Sequence, residues 1–161
     1  MKKRITASSE RWCTPPEVWG PLNDEFHFDL DAAADKVTAK CPRFLSNALN
    51  IPDWPGTVIW MNPPYGNKLE PFVRRAADEA LKGKTIVALI PFRCRAAWWH
   101  EAVIDRASEV RCIRKRVKFM RPDGSRGKFT GSCDSCIVVW YENRQPTVMT
   151  SWEQGTTEGT R

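Results

Sequence analysis

The sequence lacks any long apolar run. No stretch of it approaches the roughly 20 residues that a membrane-spanning helix needs. Its first ten residues, "MKKRITASSE", carry charge but no apolar segment of the kind that follows the charges in a secretory signal. We therefore expect a cytoplasmic protein with no membrane partner.

The sequence is also short of metal ligands. It has six cysteines, but only Cys133 and Cys136 form a C-x-x-C pair, and its two histidines, His27 and His100, are far apart. A structural zinc site needs four ligands. In a reducing cytoplasm we expect free thiols in core or loop positions and no metal.

What is present suits one globular domain. The chain has 161 residues, of which 42% are hydrophobic, enough for a single core and too few for two comfortable domains. Lys and Arg number 25 against 19 Asp and Glu, a net charge of +6. This excess favours a polyanionic partner such as nucleic acid, although charge alone is weak evidence.

The middle of the chain predicts a strand, a helix and a second strand. The unbroken apolar runs "TVIWM" (57–61) and "TIVALI" (85–90) are typical of parallel strands buried on both faces. Apolar residues at helical spacing lie between them, and Gly83 closes the helix. These apolar residues are Leu69, Phe72, Val73, Ala76, Ala77, Ala80 and Leu81.

The remaining elements are predicted more coarsely. "FHFDLDAAA" (26–34) indicates a strand that runs into a loop, and a second helix is expected over about 96–107. "EVRCIRKRVKF" and "CIVVWY" indicate later strands joined by a turn-rich segment. The pattern predicts an α/β fold, a mostly parallel sheet with helices on both faces and an antiparallel hairpin near the carboxyl terminus.

"NPPYG" (62–66) follows a predicted core strand directly, and open α/β sheets bind ligands beyond the carboxyl ends of their strands. Proline has no N–H, so this loop offers carbonyl acceptors and few donors, and Asn62 adds a side-chain carbonyl. Two rigid neutral acceptors can grip both hydrogens of an –NH2 group, while Tyr65 stacks on a flat ring that carries it.

A plain rigid turn is the alternative interpretation, because Asn-Pro is a common turn starter. Two features favour the functional one. The loop comes straight after a core strand, and an acidic strand end, Asp31, lies 31 positions before Asn62.

The chain resembles the phage-type DNA N6-adenine methyltransferases over roughly residues 10 to 141, with the family's elements in order. The matching residues are Trp12, Thr14 and Pro15 (W-x-T-P); Phe28, Leu30, Asp31, Ala33 and Ala34 (F-x-L-D-x-A-A); Lys40 and Cys41; Asn47, Ala48, Leu49 and Trp54; Asn62–Gly66; Pro91, Arg93, Trp98, Trp99, His100 and Glu101; and Arg116, Lys118 and Phe119 (R-x-K-F).

The resemblance implies a single-domain Rossmann-like methyltransferase fold over 11–141. The charged start of the chain predicts a flexible basic arm at 1–10, and the lack of periodicity after Tyr141 predicts a disordered tail at 142–161. It implies S-adenosylmethionine as methyl donor and double-stranded DNA as partner, with the target adenine flipped out of the duplex. We expect a monomer without metal, acting in a host cytoplasm if a phage encodes it.

The resemblance also implies two groups of site residues. The catalytic group is Asn62, Pro63, Pro64 and Tyr65. The cofactor-binding group is Trp12, Thr14, Pro15, Asp31, Ala32, Ala33, Asn47 and Asn62.

The DNA-binding residues are predicted from charge. The segment "RKRVKFMRPDGSRGK" (114–128), here called the basic hairpin, has a Pro-Asp-Gly turn in its middle and can track phosphates, although a solvated surface hairpin is the alternative. With the residues just past the end of the second core strand, the predicted DNA-binding group is Arg93, Arg95, Trp98, Arg116, Lys118, Arg121, Arg126 and Lys128.

The sequence departs from methyltransferases at large because "LDAAAD" has no glycine. The acidic residue that holds the cofactor ribose is not assigned. Asp29 is the second candidate for a cofactor contact after Asp31, and Asp53 is a candidate for the cofactor's adenine amine or for an ordinary turn. The alternative functions are methylation of RNA or of protein glutamine, or DNA binding without catalysis.

Overall fold

The computed structural model describes residues 12–126, 133–142 and 146–155. The predicted basic arm at 1–10 and Lys128 lie outside the described residues. The elements in chain order are helix α1 (Pro16–Phe26), strand β1 (Leu30–Asp31), a 3₁₀ turn (Ala48–Asn50), β2 (Val58–Met61), α2 (Leu69–Ala80), β3 (Thr85–Pro91), a π-helical segment (Trp99–Ile104), β4 (Glu109–Ile113), β5 (Ser135–Trp140) and β6 (Val148–Trp152).

The strands form one six-stranded sheet in the order β1-β2-β3-β5-β4-β6. The β1–β2, β2–β3 and β4–β6 pairs are parallel, and β5 runs antiparallel to β3 and β4. The predicted strand–helix–strand unit is confirmed as β2, α2 and β3. Gly83 has a φ of 88°, the left-handed conformation expected of the residue that ends this helix.

The central strands of the sheet are covered on both faces, and their side chains alternate between the two. On β3, Ile86 and Ala88 pack in the core cluster that contains α2. Val87 and Leu89 pack in a second cluster that contains α1. The predicted placement of helices against both faces is therefore confirmed, and it leaves the strand ends as the accessible edges.

Four sequence predictions need correction. The first strand is only two residues long, β4 ends at Ile113 instead of continuing to 119, and the second helix is a π-helical segment within the expected range. The expected disordered tail contains β6, whose residues pair with β4. Because β6 is mostly exposed, its sequence carries no apolar period that could reveal it.

The segment between β1 and β2 is short. It is held by contacts with β1. Phe44 forms a single parallel bridge with Asp31 on the outer side of β1, where a complete edge strand could pair. Gly56 packs so closely on Leu30 that an added Cβ would lie 2.7 Å from the Leu30 Cβ. This packing fixes the start of β2, and with it the loop at the other end of that strand.

A buried charge cluster closes the amino end of the sheet. Glu79 of α2 has no exposed surface and pairs with Lys82, Lys84 and Arg75. Its carboxylate also accepts a hydrogen bond from the backbone N–H of Trp54 at 3.3 Å. The cluster ties the segment before β2 to α2, because Trp54 lies in that segment.

Candidate active site

A narrow pocket opens at the carboxyl ends of β1 and β2, where the segment around residues 12–15 crosses the sheet edge. The pocket is the one that the architecture predicts for a ligand. Its lining consists of Trp12, Thr14, Asp31, Ala33, Thr38, Lys40, Trp60 and Asn62.

Asn62 leaves β2 directly into this pocket. Its amide nitrogen donates a hydrogen bond to the Thr14 hydroxyl at 3.2 Å. The side-chain carbonyl of Asn62 has no hydrogen-bond partner among the described residues, so it is available to a ligand. Pro63 is buried and Pro64 is exposed, and neither has an N–H that could compete for that carbonyl.

Tyr65 presents part of its ring to solvent, with 36% of its surface exposed. The Phe119 ring meets it edge-on, with centroids 6.2 Å apart and an angle of 85° between the planes. Burial of its hydroxyl end raises the pKa of the Tyr65 phenol, with Ser135 and Arg93 among the neighbours. The Tyr65 phenol is therefore neutral, and its partly exposed ring is packed against the edge of Phe119. Gly66, with a φ of 103°, follows it.

Asp31 is a buried carboxylate at the end of β1, only 2% exposed. It accepts hydrogen bonds from the backbone N–H groups of Ala33 at 3.2 Å and Lys40 at 3.0 Å. Burial raises the pKa of Asp31 to about 6, although these two hydrogen bonds oppose the rise. The pocket thus holds a charge that has little solvent around it.

The other two acidic candidates serve the fold. Asp29 accepts hydrogen bonds from the backbone of Thr57 at 2.9 Å and Val58 at 3.3 Å, at the start of β2. Asp53 pairs with Lys82 and Lys84 at the amino end of β3, whereas the pocket lies at the carboxyl ends of the strands. The structure therefore supports the turn interpretation of Asp53.

Most of the predicted cofactor residues come together here. Pro15 is buried at the start of α1 and Ala32 is fully buried, so both are adjacent to the lining. Asn47 is exposed at the start of the 3₁₀ turn and is not part of the lining.

Three lining residues were missed by the sequence prediction. Thr38 and Lys40 lie in an irregular loop that folds back on Asp31, a contact with no local signal. Trp60 shares a strand face with Asn62, so alternation along β2 could have identified it.

The basic hairpin lies beside the pocket. Met120 pairs in antiparallel fashion with both Cys13 and Arg126. The Arg121 guanidinium lies over the Trp12 ring at 5.9 Å, and Arg126 pairs with Glu17 of α1 at 2.6 Å. Two further predicted DNA residues, Arg116 and Lys118, are exposed.

The loop after β3 contains the other predicted DNA residues. Arg93 and Arg95 are exposed, and the Arg93 guanidinium lies 3.8 Å from the Cys133 sulfur. Trp98 is only 8% exposed and packs edge-on against Trp99 in the core. Burial therefore weighs against the prediction that Trp98 contacts DNA, because both rings of this pair pack inside the protein.

Within the described residues no group of three His, Cys, Asp or Glu side chains is arranged to hold a metal ion. In the same part of the chain, every helix is too short or too polar to cross a bilayer.

The family model of DNA N-6-adenine-methyltransferase (Dam) matches residues 2–158. A DNA N-6-adenine-methyltransferase of Haemophilus phage HP1 (strain HP1c1) is 34% identical over 127 residues, which cover 74% of this chain and 73% of that protein. One of Escherichia phage T1 is 34% identical over 100 residues, covering 60% of this chain and 42% of that protein. The match extends over nearly the whole chain and includes the pocket, the Asn62 loop and the basic hairpin, so the chain belongs to the DNA N-6-adenine-methyltransferase (Dam) family.

Proposed function

We propose that the loop from Asn62 to Tyr65 holds the target adenine of the DNA methyl transfer that defines this family, with S-adenosylmethionine as the methyl donor. One observation carries the proposal. The Asn62 side chain is fixed at the carboxyl end of a core strand by its bond to Thr14, and its carbonyl is left for a ligand.

The chemistry needs such acceptors because the exocyclic nitrogen of adenine is a poor nucleophile. Its lone pair is delocalised into the ring. The Asn62 side-chain carbonyl and the Pro63 backbone carbonyl would each accept one N6–H hydrogen bond. These two bonds raise electron density on N6 and turn its lone pair toward the methyl group. As the new bond from N6 to the methyl carbon formed, the bond from that carbon to sulfur would break and S-adenosylhomocysteine would be the leaving group. N6 would then lose its extra proton to water, so no charged base would be required before attack.

Tyr65 would hold the ring of the flipped adenine. Base–aromatic stacking contributes roughly 1–3 kcal/mol per base. This offsets part of the few kcal/mol needed to unstack and unpair the adenine. The edge contact from Phe119 keeps the Tyr65 ring from rotating away when the base is absent.

The pocket residues fit the cofactor. When bound, S-adenosylmethionine supplies an electrophilic methyl group on a positively charged sulfur. The buried Asp31 carboxylate would attract the ammonium group of its methionine part, and the partly exposed Trp12 side chain would supply an aromatic wall. The alanines after Asp31 replace the usual glycines as small residues that permit close approach.

DNA would be gripped by basic side chains around the pocket. Arg93 lies near Tyr65 and Arg95 follows it in the same exposed loop, whereas the hairpin lies on the side of Trp12. The proposed hairpin contacts are Arg116, Lys118, Arg121, Arg126 and Lys128, the last outside the described residues. Both relatives come from phages, so we expect action on double-stranded DNA in a host cytoplasm. The prediction of a monomer is independent of them.

The test is product analysis. The purified protein is incubated with S-adenosylmethionine carrying a labelled methyl group and with unmodified duplex DNA, RNA or protein. The DNA and RNA are then digested to nucleosides. We expect label in N6-methyladenine from the duplex. Label mainly in methylated cytosine, in RNA or in glutamine would contradict the proposal.

A further inference from the structure

The segment that contains Thr14 contacts both the basic hairpin and the loop from Asn62 to Tyr65. Cys13 exchanges two backbone hydrogen bonds with Met120, of 2.8 and 3.1 Å. Side chains alternate along an extended segment, so Trp12 and Thr14 point to the same side. Both line the pocket, as this alternation requires.

The Thr14 hydroxyl meets the Asn62 amide, 48 positions along the chain. A primary amide has two orientations that differ by half a turn, and only one presents the carbonyl to an N6–H donor. Thr14 is 2% exposed, so water has little access to replace its hydroxyl. A hydroxyl can donate or accept, and here the Thr14 hydroxyl accepts from the Asn62 nitrogen. This bond holds the amide in place with its carbonyl left for the target adenine.

We propose that Thr14 is a positioning residue for methyl transfer, acting through the orientation of the Asn62 amide. This inference rests on the proposed function, in which Asn62 accepts a hydrogen bond from N6. It assigns Thr14 to the chemical step, whereas the sequence alone predicts a cofactor contact.

The two roles of Thr14 differ in what a missing hydroxyl changes. A positioning residue affects the rate of the chemical step and leaves the affinity for the cofactor nearly constant. A cofactor contact affects that affinity. Misplacement of a reacting group by about 1 Å costs up to about 10²-fold in rate.

Four variants separate these roles. Thr14→Val keeps the shape of the side chain and removes the hydroxyl, Thr14→Ala removes it without a branched replacement, and Thr14→Ser retains it. The control is Thr147→Val, because the Thr147 hydroxyl contacts the carbonyls of Ile104 at 2.8 Å and Ala107 at 2.6 Å, away from the pocket.

The measurements are the single-turnover rate of methyl transfer at saturating cofactor and DNA, and the affinity for S-adenosylhomocysteine by calorimetry. For Thr14→Val and Thr14→Ala we expect a rate lower by roughly 10- to 100-fold and an affinity within about twofold of wild type. Thr14→Ser should recover most of the rate, and Thr147→Val should match the wild type. Weaker S-adenosylhomocysteine binding with an unchanged rate would overturn the inference.

A double-mutant cycle shows whether Thr14 acts through Asn62. Thr14→Val should slow the Asn62→Ala enzyme hardly at all, because the amide it positions is gone. An equal slowing in both backgrounds would overturn the inference while leaving the proposed function intact. If Asn62→Ala alone leaves the rate unchanged, it is the role of Asn62 in the proposed function that fails.

Discussion

Asp31→Asn tests the buried charge in the pocket. The pKa of this carboxyl rises from 3.8 to about 6 because the side chain is buried. The folded protein therefore binds the Asp31 proton more tightly than the unfolded chain. The stability contributed by this group falls as the pH rises from about 4 to about 6, and stays low above that range. A shift of roughly two units corresponds to about 3 kcal/mol.

Asparagine carries no charge at any pH, so the variant should lack this loss. Its amide leaves one of the Ala33 and Lys40 N–H groups without a good acceptor, a cost of about 1–3 kcal/mol that does not depend on pH. The difference in unfolding free energy, variant minus wild type, should therefore rise by about 3 kcal/mol between about pH 3.5 and pH 7. Urea unfolding at several pH values measures it, and other titrating groups cancel in the difference. A flat difference would refute the buried-charge reasoning.

The same substitution tests the role of Asp31 toward the cofactor. Asp31→Asn should weaken cofactor binding at neutral pH, and wild-type affinity should fall as the pH drops below about 6 because the carboxylate is then protonated. Asp29→Asn is the matched control on the same segment, since that side chain contacts the backbone at the start of β2. Equal cofactor affinity in the Asp31 variant and the wild type would move the role elsewhere in the pocket.

The remaining predictions concern DNA binding and the stability of the fold. Arg116 and Lys118 are exposed, so replacing both with Gln should weaken DNA binding and lower the salt slope by about 1 for each phosphate that is no longer neutralised. Arg126→Gln should have a smaller effect because its guanidinium already pairs with a carboxylate of α1, and wild-type salt slopes in both variants would contradict these assignments. Glu79→Gln should lower the unfolding free energy by up to roughly 3–5 kcal/mol, since it removes the buried carboxylate that Arg75, Lys82 and Lys84 share and leaves the two lysines with only the exposed Asp53 as an ionic partner among the described residues. Glu70→Gln, in a half-exposed pair on the same helix, should leave stability nearly unchanged, and equal effects of the two would contradict the cluster's role.

The sequence predicts well where local pattern and burial coincide. The β2–α2–β3 unit follows from two unbroken apolar runs and one helical period. The position of Asn62 follows from the end of β2. By contrast, β1 is two residues long because its partners, β2 and Phe44, determine how far it pairs. Neither partner is visible in the local sequence.

The candidate site is less predictable because its contacts join distant segments. Thr14 and Asn62 are 48 positions apart and form a hydrogen bond, and Cys13 pairs with Met120, which is more distant still in the sequence. Trp98 shows the opposite difficulty, since a tryptophan beside exposed arginines has the sequence signature of a DNA contact but packs in the core. Motif resemblance named as site residues five of the eight residues that line the pocket, whereas the contacts of each were set by the fold.

The most direct test of the central claim is the single-turnover rate of Asn62→Ala. Removing one of the two acceptors proposed for N6 should lower the rate of methyl transfer to duplex DNA by about 10²–10³-fold. The affinity for S-adenosylhomocysteine and the urea midpoint should stay close to those of the wild type. A variant that binds cofactor and methylates adenine at the wild-type rate would contradict the assignment of this loop as the catalytic centre.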